Sequence, residues 1–196
     1  MTLRCIALSA VAPQPWRNGG GRTRELLAWP DTVAWTLRIS VADIEHDGPF
    51  SAFPGIERWF AVIDGDGVVL THPAQRVTLG PGDAPWRFDG EEAPDCRLLA
   101  GATRDLNLMI RRDRGQGTLR RVEPGVDAVD GAPFRAIFTA VALMLHVDDH
   151  DALALAPFTL AWSATAGGQR WRVAPAAQLN HATPPQAWWL TVSPRS

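Results

Sequence analysis

Trp59-Phe60-Ala61-Val62-Ile63-Asp64-Gly65-Asp66-Gly67-Val68-Val69-Leu70-Thr71 is the stretch that decides the fold. In an extended chain Trp59, Ala61 and Ile63 fall on one side, and Phe60 and Val62 on the other. The doubled Asp-Gly that follows is a hairpin signal, with Val68–Thr71 as the returning strand. The same texture recurs outward. Trp35, Leu37, Ile39 and Val41 alternate with Thr36, Arg38 and Ser40. Val77–Leu79 runs into the turn Gly80-Pro81-Gly82-Asp83, and Arg97–Ala100 and Leu106–Ile110 are further strands. Arg135–His146, Phe158–Ser163, Arg170–Val173 and Trp188–Val192 extend the pattern to the second half. Turn signals at roughly 8–12-residue spacing belong to sandwiches and barrels. Seventeen glycines and sixteen prolines in 196 residues supply those turns, and long helical patterns are absent. The expected class is all-β.

Composition narrows the function. A formal charge of −2, with 46% hydrophobic and 20% charged residues, describes a globular core and not a polyanion binder, so no nucleic-acid partner is expected. The nineteen strong bases are all Arg, which excludes Schiff-base and P-loop lysine chemistry. Two cysteines, Cys5 and Cys96, make no disulfide framework, and reduced thiols imply a cytoplasmic protein. The apolar stretch Cys5–Ala12 reads as a first β-strand, because Pro13-Gln14-Pro15 offers no small-x-small cleavage site. No run approaches the ~18 apolar residues of a membrane span, so no membrane partner is expected. Residues 111–131, with five arginines between positions 111 and 121, read as an exposed crossing between two halves.

Four features can carry chemistry. Trp16-Arg17-Asn18-Gly19-Gly20-Gly21-Arg22-Thr23-Arg24-Glu25 holds three consecutive glycines, either a bend at a barrel corner or a backbone laid close to a ligand. It lacks the strand-to-helix context of a phosphate loop. Beyond the glycines, Thr23 and Glu25 share one face and Arg22 and Arg24 the other. Arg38 and Ser40 stand opposite a wholly apolar face, either on a solvated surface or in a polar-lined barrel where Arg38 binds a carboxylate. Arg58 follows the aromatic loop Gly48-Pro49-Phe50-Ser51-Ala52-Phe53-Pro54-Gly55 and shares its face with Phe60 and Val62. It needs a partner there, Glu25 or a ligand carboxylate. On the last strand of the half, Asp105, Asn107 and Met109 share a face.

Metal and nucleophile chemistry find little support. His146 and His150 stand at a helical spacing in a segment that reads as strand and turn, and no G-x-S-x-G is present.

Two stretches resemble cupin motifs: Ile63-Asp64-Gly65-Asp66-Gly67 and Leu79-Gly80-Pro81-Gly82-Asp83-Ala84-Pro85-Trp86-Arg87-Phe88. The places of a typical cupin's metal-binding histidines are taken by the Phe50-Ser51-Ala52-Phe53 region and by Phe88-Asp89-Gly90, and only Glu57 echoes the acidic ligand. One carboxylate without imidazoles does not hold a transition metal, so neither metal nor cofactor is expected. More specifically, the chain resembles the HutD/Ves family of bicupins. The resemblance rests on Trp16–Glu25, Trp35–Ser40, Asp47–Arg58, Asp95–Gly101 and Arg104–Met109, and it covers the first 112 residues. It implies a double-stranded β-helix in two tandem barrels, divided as 1–112 with a ligand pocket and 113–196, degenerate. It also implies a role around histidine utilisation, through binding an intermediate such as formylglutamate or urocanate. Ves-like members are linked instead to stress, and neither branch carries a firm catalytic activity.

On that frame the expected ligand is a small organic acid. Arg38 and Arg58 clamp its carboxylates. Asn18, Ser40 and Asn107 supply neutral hydrogen bonds; Trp16, Phe50 and Phe53 wall the pocket; Thr23 and Glu25 complete the lining. Two alternatives stand beside this reading. One is a metal-independent isomerase or hydrolase with Glu25 as acid/base. The other is an interaction module, suggested by Trp188 and Trp189 on opposite strand faces, at least one of them exposed or at an interface. A homodimer through sheet edges is compatible with the sequence, though no residue specifies it.

Overall fold

The structure, a computed structural model, describes residues 2–73, 75–123, 126–129, 131–165, 168–175 and 186–195. His181 and the expected loop at 182–185 lie outside them. The strands are β1 (Arg4–Ala7), β2 (Gln14–Pro15), β3 (Gly21–Trp29), β4 (Leu37–Ile44), β5 (Gly48–Pro49), β6 (Ile56–Gly65), β7 (Val68–His72), β8 (Gln75–Leu79), β9 (Trp86–Asp89), β10 (Asp95–Leu98), β11 (Thr103–Arg111), β12 (Gly115–Arg121), β13 (Ala128–Val129), β14 (Phe134–Thr139), β15 (Leu143–Val147), β16 (Leu153–Leu155), β17 (Thr159–Ser163), β18 (Arg170–Pro175) and β19 (Ala187–Pro194). The only helical element among the described residues is a single 3-10 turn, Leu8–Ala10. The all-β class follows, and no helix there is long and apolar enough to cross a membrane.

The chain divides into two compact units, Val11–Gln116 with Arg195–Ser196, and Met1–Ala10 with Gly117–Pro194. This differs from a sequential division at residue 112, because β1 pairs antiparallel with β17, Cys5 opposite Ala161. A strand is placed by the edge it can hydrogen-bond to, and sequence proximity does not fix that edge. The crossing expected at 111–131 also contains a strand: β12 buries Leu119 to 1% exposure.

In the unit that holds the candidate site, a sheet ordered β2-β3-β4-β11-β6-β9 is accompanied by one ordered β5-β10-β7-β8. One apolar cluster joins them: Ile44, Phe60, Val62 and Phe88 from the first sheet, Val68, Leu70, Leu79 and Cys96 from the second. Each such side chain contributes about 1.5–3 kcal/mol on burial. The doubled Asp-Gly joins β6 to β7 as a hairpin, and its turn holds Gly65 at φ 89° and Gly67 at φ 101°. A side chain at either residue would be strained there.

The other unit pairs a sheet ordered β1-β17-β14-β19-β12 with one ordered β13-β18-β15-β16. Its core contains Ile137, Leu143, Leu145, Trp171 and Trp189. Of the two places expected for one of Trp188 and Trp189, exposed or at an interface, exposure does not hold: they are 1% and 6% exposed. Adjacent strand residues do point to opposite faces; both faces of β19 are covered at these positions.

Candidate functional site

The register of the six-stranded sheet decides which side chains meet. Ser40 pairs with Asn107 and Asn107 with Phe60; Arg38 pairs with Met109 and Met109 with Arg58; Ala42 pairs with Asp105 and Asp105 with Val62. Cross-strand partners share a face. Arg38, Ser40, Arg58, Asp105, Asn107 and Met109 therefore lie on the face that also carries Ile44, Phe60 and Val62 into the core. The opposite face of β4, with Leu37, Ile39 and Val41, is 0% exposed. At Ser40, Arg58 and Asn107 this polar side is interior lining, and Arg38, about a third exposed, stands where the lining opens to solvent.

A register shift in β3 finishes the lining. Glu25 pairs with Ser40 but Leu27 pairs with Ile39, leaving Leu26 as the extra residue. Without this bulge Leu27 would follow Thr23 and Glu25 onto the polar face; with it, Leu27 joins the apolar one.

Arg58 is the centre of the site. It is 7% exposed and donates from Nη2 to Asn107 Oδ1 at 2.9 Å. The Asn107 amide donates in turn to Asp105 Oδ1. Three rings surround the guanidinium, with Cζ 5.3 Å from the centroid of Phe50, 5.5 Å from Phe53 and 5.0 Å from Phe88. Such cation–π contacts are each worth about 0.5–2 kcal/mol. Burial lowers the Arg58 pKa to about 10, with Asp105 opposing the shift. Burial also pushes the fully enclosed Asp105 carboxyl well above the usual carboxylate range, although Arg58 pulls the other way. The Arg58 Nε has no hydrogen-bond partner among the described residues.

Glu25 is not the partner of Arg58 that the sequence suggested. It forms an ion pair with Arg38, whose guanidinium also lies 5.4 Å from the ring centroid of Trp35. Trp35 is therefore not a strand residue; β4 begins at Leu37, and the indole is free to turn back over Arg38. Trp16 donates from Nε1 to Thr23 Oγ1 at 2.7 Å and packs its ring edge-on against Phe50. Asn18 is exposed in the turn before β3, where its Oδ1 accepts from the Gly20 amide at 3.0 Å. Like Trp16 it lies between β2 and β3, but an Asx turn uses its side chain locally and keeps it away from the lining. The glycines serve the corner itself. Gly19 has φ 71°, and a Cβ on Gly21 would stand 2.3 Å from the Asp43 carbonyl oxygen.

Phe88, Trp35 and Asp105 join the ten expected residues. Asp105 is legible in its alternation with Asn107 and Met109, and Phe88 in the cupin resemblance, which puts it where a histidine would stand. Trp35 is not, because its place over Arg38 depends on a loop. An open cleft of about 600 Å³ lies at this end of the lining, bordered by Trp35, Phe53, Ile56, Arg111 and Asp113 among others.

The donor set does not suit a transition metal. Among the described residues no three His, Cys, Asp or Glu side chains gather, and the segments that carry histidines in a typical cupin bring Phe50, Phe53 and Phe88 to Arg58. Cys96 is no nucleophile: burial, with Asp105 and Asp47 adding to it, pushes its thiol up to about 12.

The HutD family model matches residues 8–180. The chain belongs to the HutD family. An uncharacterised 21.2 kDa protein in the hutC 3′ region of Pseudomonas putida is 41% identical to this HutD-family chain over 111 residues, 54% of this chain and 57% of that one. Protein Ves of Citrobacter koseri is 37% identical over 113 residues, 54% of this chain and 56% of that one. The matches thus span about half the length of these curated relatives. The solved structure of HutD from Pseudomonas fluorescens SBW25 superposes with a TM-score of 0.83 at 26% identity, covering 100% of both chains. Oxalate decarboxylase from Bacillus subtilis superposes with a TM-score of 0.60 at 10% identity, covering 96% of this chain and 76% of that one. That likeness speaks to the cupin-type fold alone.

Proposed function

We propose that this HutD-family protein binds a small organic acid through Arg58, a formylglutamate- or urocanate-like metabolite of histidine breakdown, and that binding has a regulatory output. The carrying observation is a guanidinium held inside a lined barrel with one N–H unanswered. An unsatisfied buried donor costs about 1–3 kcal/mol, and a carboxylate in the guanidinium plane removes that cost with two parallel hydrogen bonds. The raised Asp105 pKa supports the same reading, because burial disfavours the Asp105 charge that would otherwise compensate Arg58. Asn107 and Ser40 offer neutral hydrogen bonds on the same face, and Phe50 and Phe53 provide apolar walls. Arg38 adds positive field from the same cross-strand row, with Glu25 already upon it. The histidine context is supported by the relative named for its hutC 3′ position and by HutD of P. fluorescens.

The enzymatic alternative needs Glu25 as a free acid/base, and its carboxylate is occupied by Arg38. Calorimetry with formylglutamate, urocanate, histidine and glutamate tests the binding reading. Saturable heat with one of the first two, lost in Arg58→Gln, is expected; no heat and no thermal shift with any of the four overturns it.

A further inference from the structure

Three arginines lie on one face of the β4-β11-β6 sheet, and the outermost, Arg111, borders the cleft. Arg38 and Arg58 flank Met109 in the same cross-strand row. Arg111 lies two residues beyond Met109 on the same strand face and pairs with Ile56, which makes it a diagonal neighbour of Arg58. On its other side the Arg111 amide donates to the Thr36 carbonyl at 2.9 Å, so Arg111 is also diagonal to Arg38. Diagonal neighbours stand roughly 7–8 Å apart at Cα, within reach of two long side chains on one bound molecule.

Their present partners differ. Among the described residues Arg58 hydrogen-bonds to neutral Asn107 alone, with the enclosed Asp105 carboxyl beyond it. Arg38 is held by Glu25 and capped by Trp35. Arg111 is held by Asp113 two residues along, through contacts of 3.1 and 2.9 Å, and the Asp113 side chain is 61% exposed. An ion pair so open to water contributes little, so an incoming carboxylate displaces Asp113 at small cost. The cleft points to the same residue. Arg111 borders it together with Phe53, which covers Arg58, and Trp35, which covers Arg38.

We infer that the site is bipartite and selects dicarboxylates. One carboxylate meets Arg58 inside the barrel and the second meets Arg111 at its mouth, with the carbon chain lying between Phe53 and Trp35. This rests on Arg58 being a carboxylate site, and it transfers the second contact expected of Arg38 to Arg111, a residue assigned above to an exposed crossing.

Glutarate and valerate share a five-carbon chain and differ by one carboxylate, which makes them the probes. By calorimetry on the full chain, glutarate should bind about two- to fivefold more tightly than valerate, the value of one partly exposed charge contact. Arg111→Gln should remove that advantage and leave valerate unchanged, and Asp113→Asn should strengthen glutarate alone. Equal affinities in the unaltered protein, or an Arg111→Gln variant that keeps the full ratio, overturn the bipartite site while leaving Arg58 as a carboxylate site. Failure of both acids to bind, or binding indifferent to Arg58→Gln, overturns the Arg58 reading itself and this inference with it.

Discussion

Arg58 and Asp105 do not touch directly; Asn107 stands between them, accepting from the Arg58 Nη2 at 2.9 Å and donating from its own amide to Asp105 Oδ1. The three form a polar chain across β6 and β11 inside an otherwise apolar cluster. A neutral amide between a buried cation and a buried carboxyl lets the second lose its charge without leaving the first unbonded.

Stability should fall as pH rises because of Asp105. Its native pKa lies well above the unfolded value, with burial the largest cause. Between those two values the native state holds a proton that the unfolded state has released, so raising the pH favours unfolding. Arg58, Cys96 and Asn107 interact with Asp105, and Asp43 acts on it electrostatically from the opposite face of β4. In Asp105→Asn the stability loss above about pH 4 should flatten, as read by urea denaturation from pH 4.5 to 8. An unchanged slope would place the Asp105 proton elsewhere.

Glu25→Gln should loosen Arg38 and so strengthen anion binding. The Glu25–Arg38 ion pair involves side chains 28% and 34% exposed, and removing its negative charge raises the field at Arg58. Affinity for carboxylates should rise about two- to fivefold in calorimetry. Loss of a metabolite-consuming activity in this variant would instead favour Glu25 as an acid/base.

Gly21→Ala should destabilise the fold by about 1–3 kcal/mol, because its Cβ would press on the Asp43 backbone, where neither strand can yield. Gly20→Ala should cost less than about 1 kcal/mol. There the nearest contact is the Asn18 side chain at 3.3 Å, in an exposed turn free to shift. Thermal unfolding of the two variants reads the difference.

Asp43→Asn should cost about 1–2 kcal/mol at neutral pH. Burial works against the ionised Asp43, but Arg24 at 2.7 Å and Arg104 at 2.6 Å outweigh it and hold its pKa below the usual carboxylate value. A lowered carboxyl pKa stabilises above the unfolded value and is lost as pH falls through the native one. The gap between Asp43→Asn and the unaltered protein should therefore close below about pH 3.8.

Period-two alternation and Asp-Gly or Pro-Gly turns determined the strand content and the polar lining of β4 and β11, because which residues share a strand face is a local property of an extended chain. The motifs around Trp16–Glu25 and Asp47–Arg58 determined the family, and with it the cupin-type fold. Only the tertiary structure decided partners. Glu25 sits nearer Arg38 than Arg58 because β3 pairs with β4, whereas β4 and β11 separate it from β6; Phe88 reaches Arg58 because β9 pairs with β6; β1 joins the unit of residues 117–194 because its free edge there is that of β17. These are long-range choices among edges and registers. They are settled by the packing of whole sheets, which a local pattern of residue types does not encode.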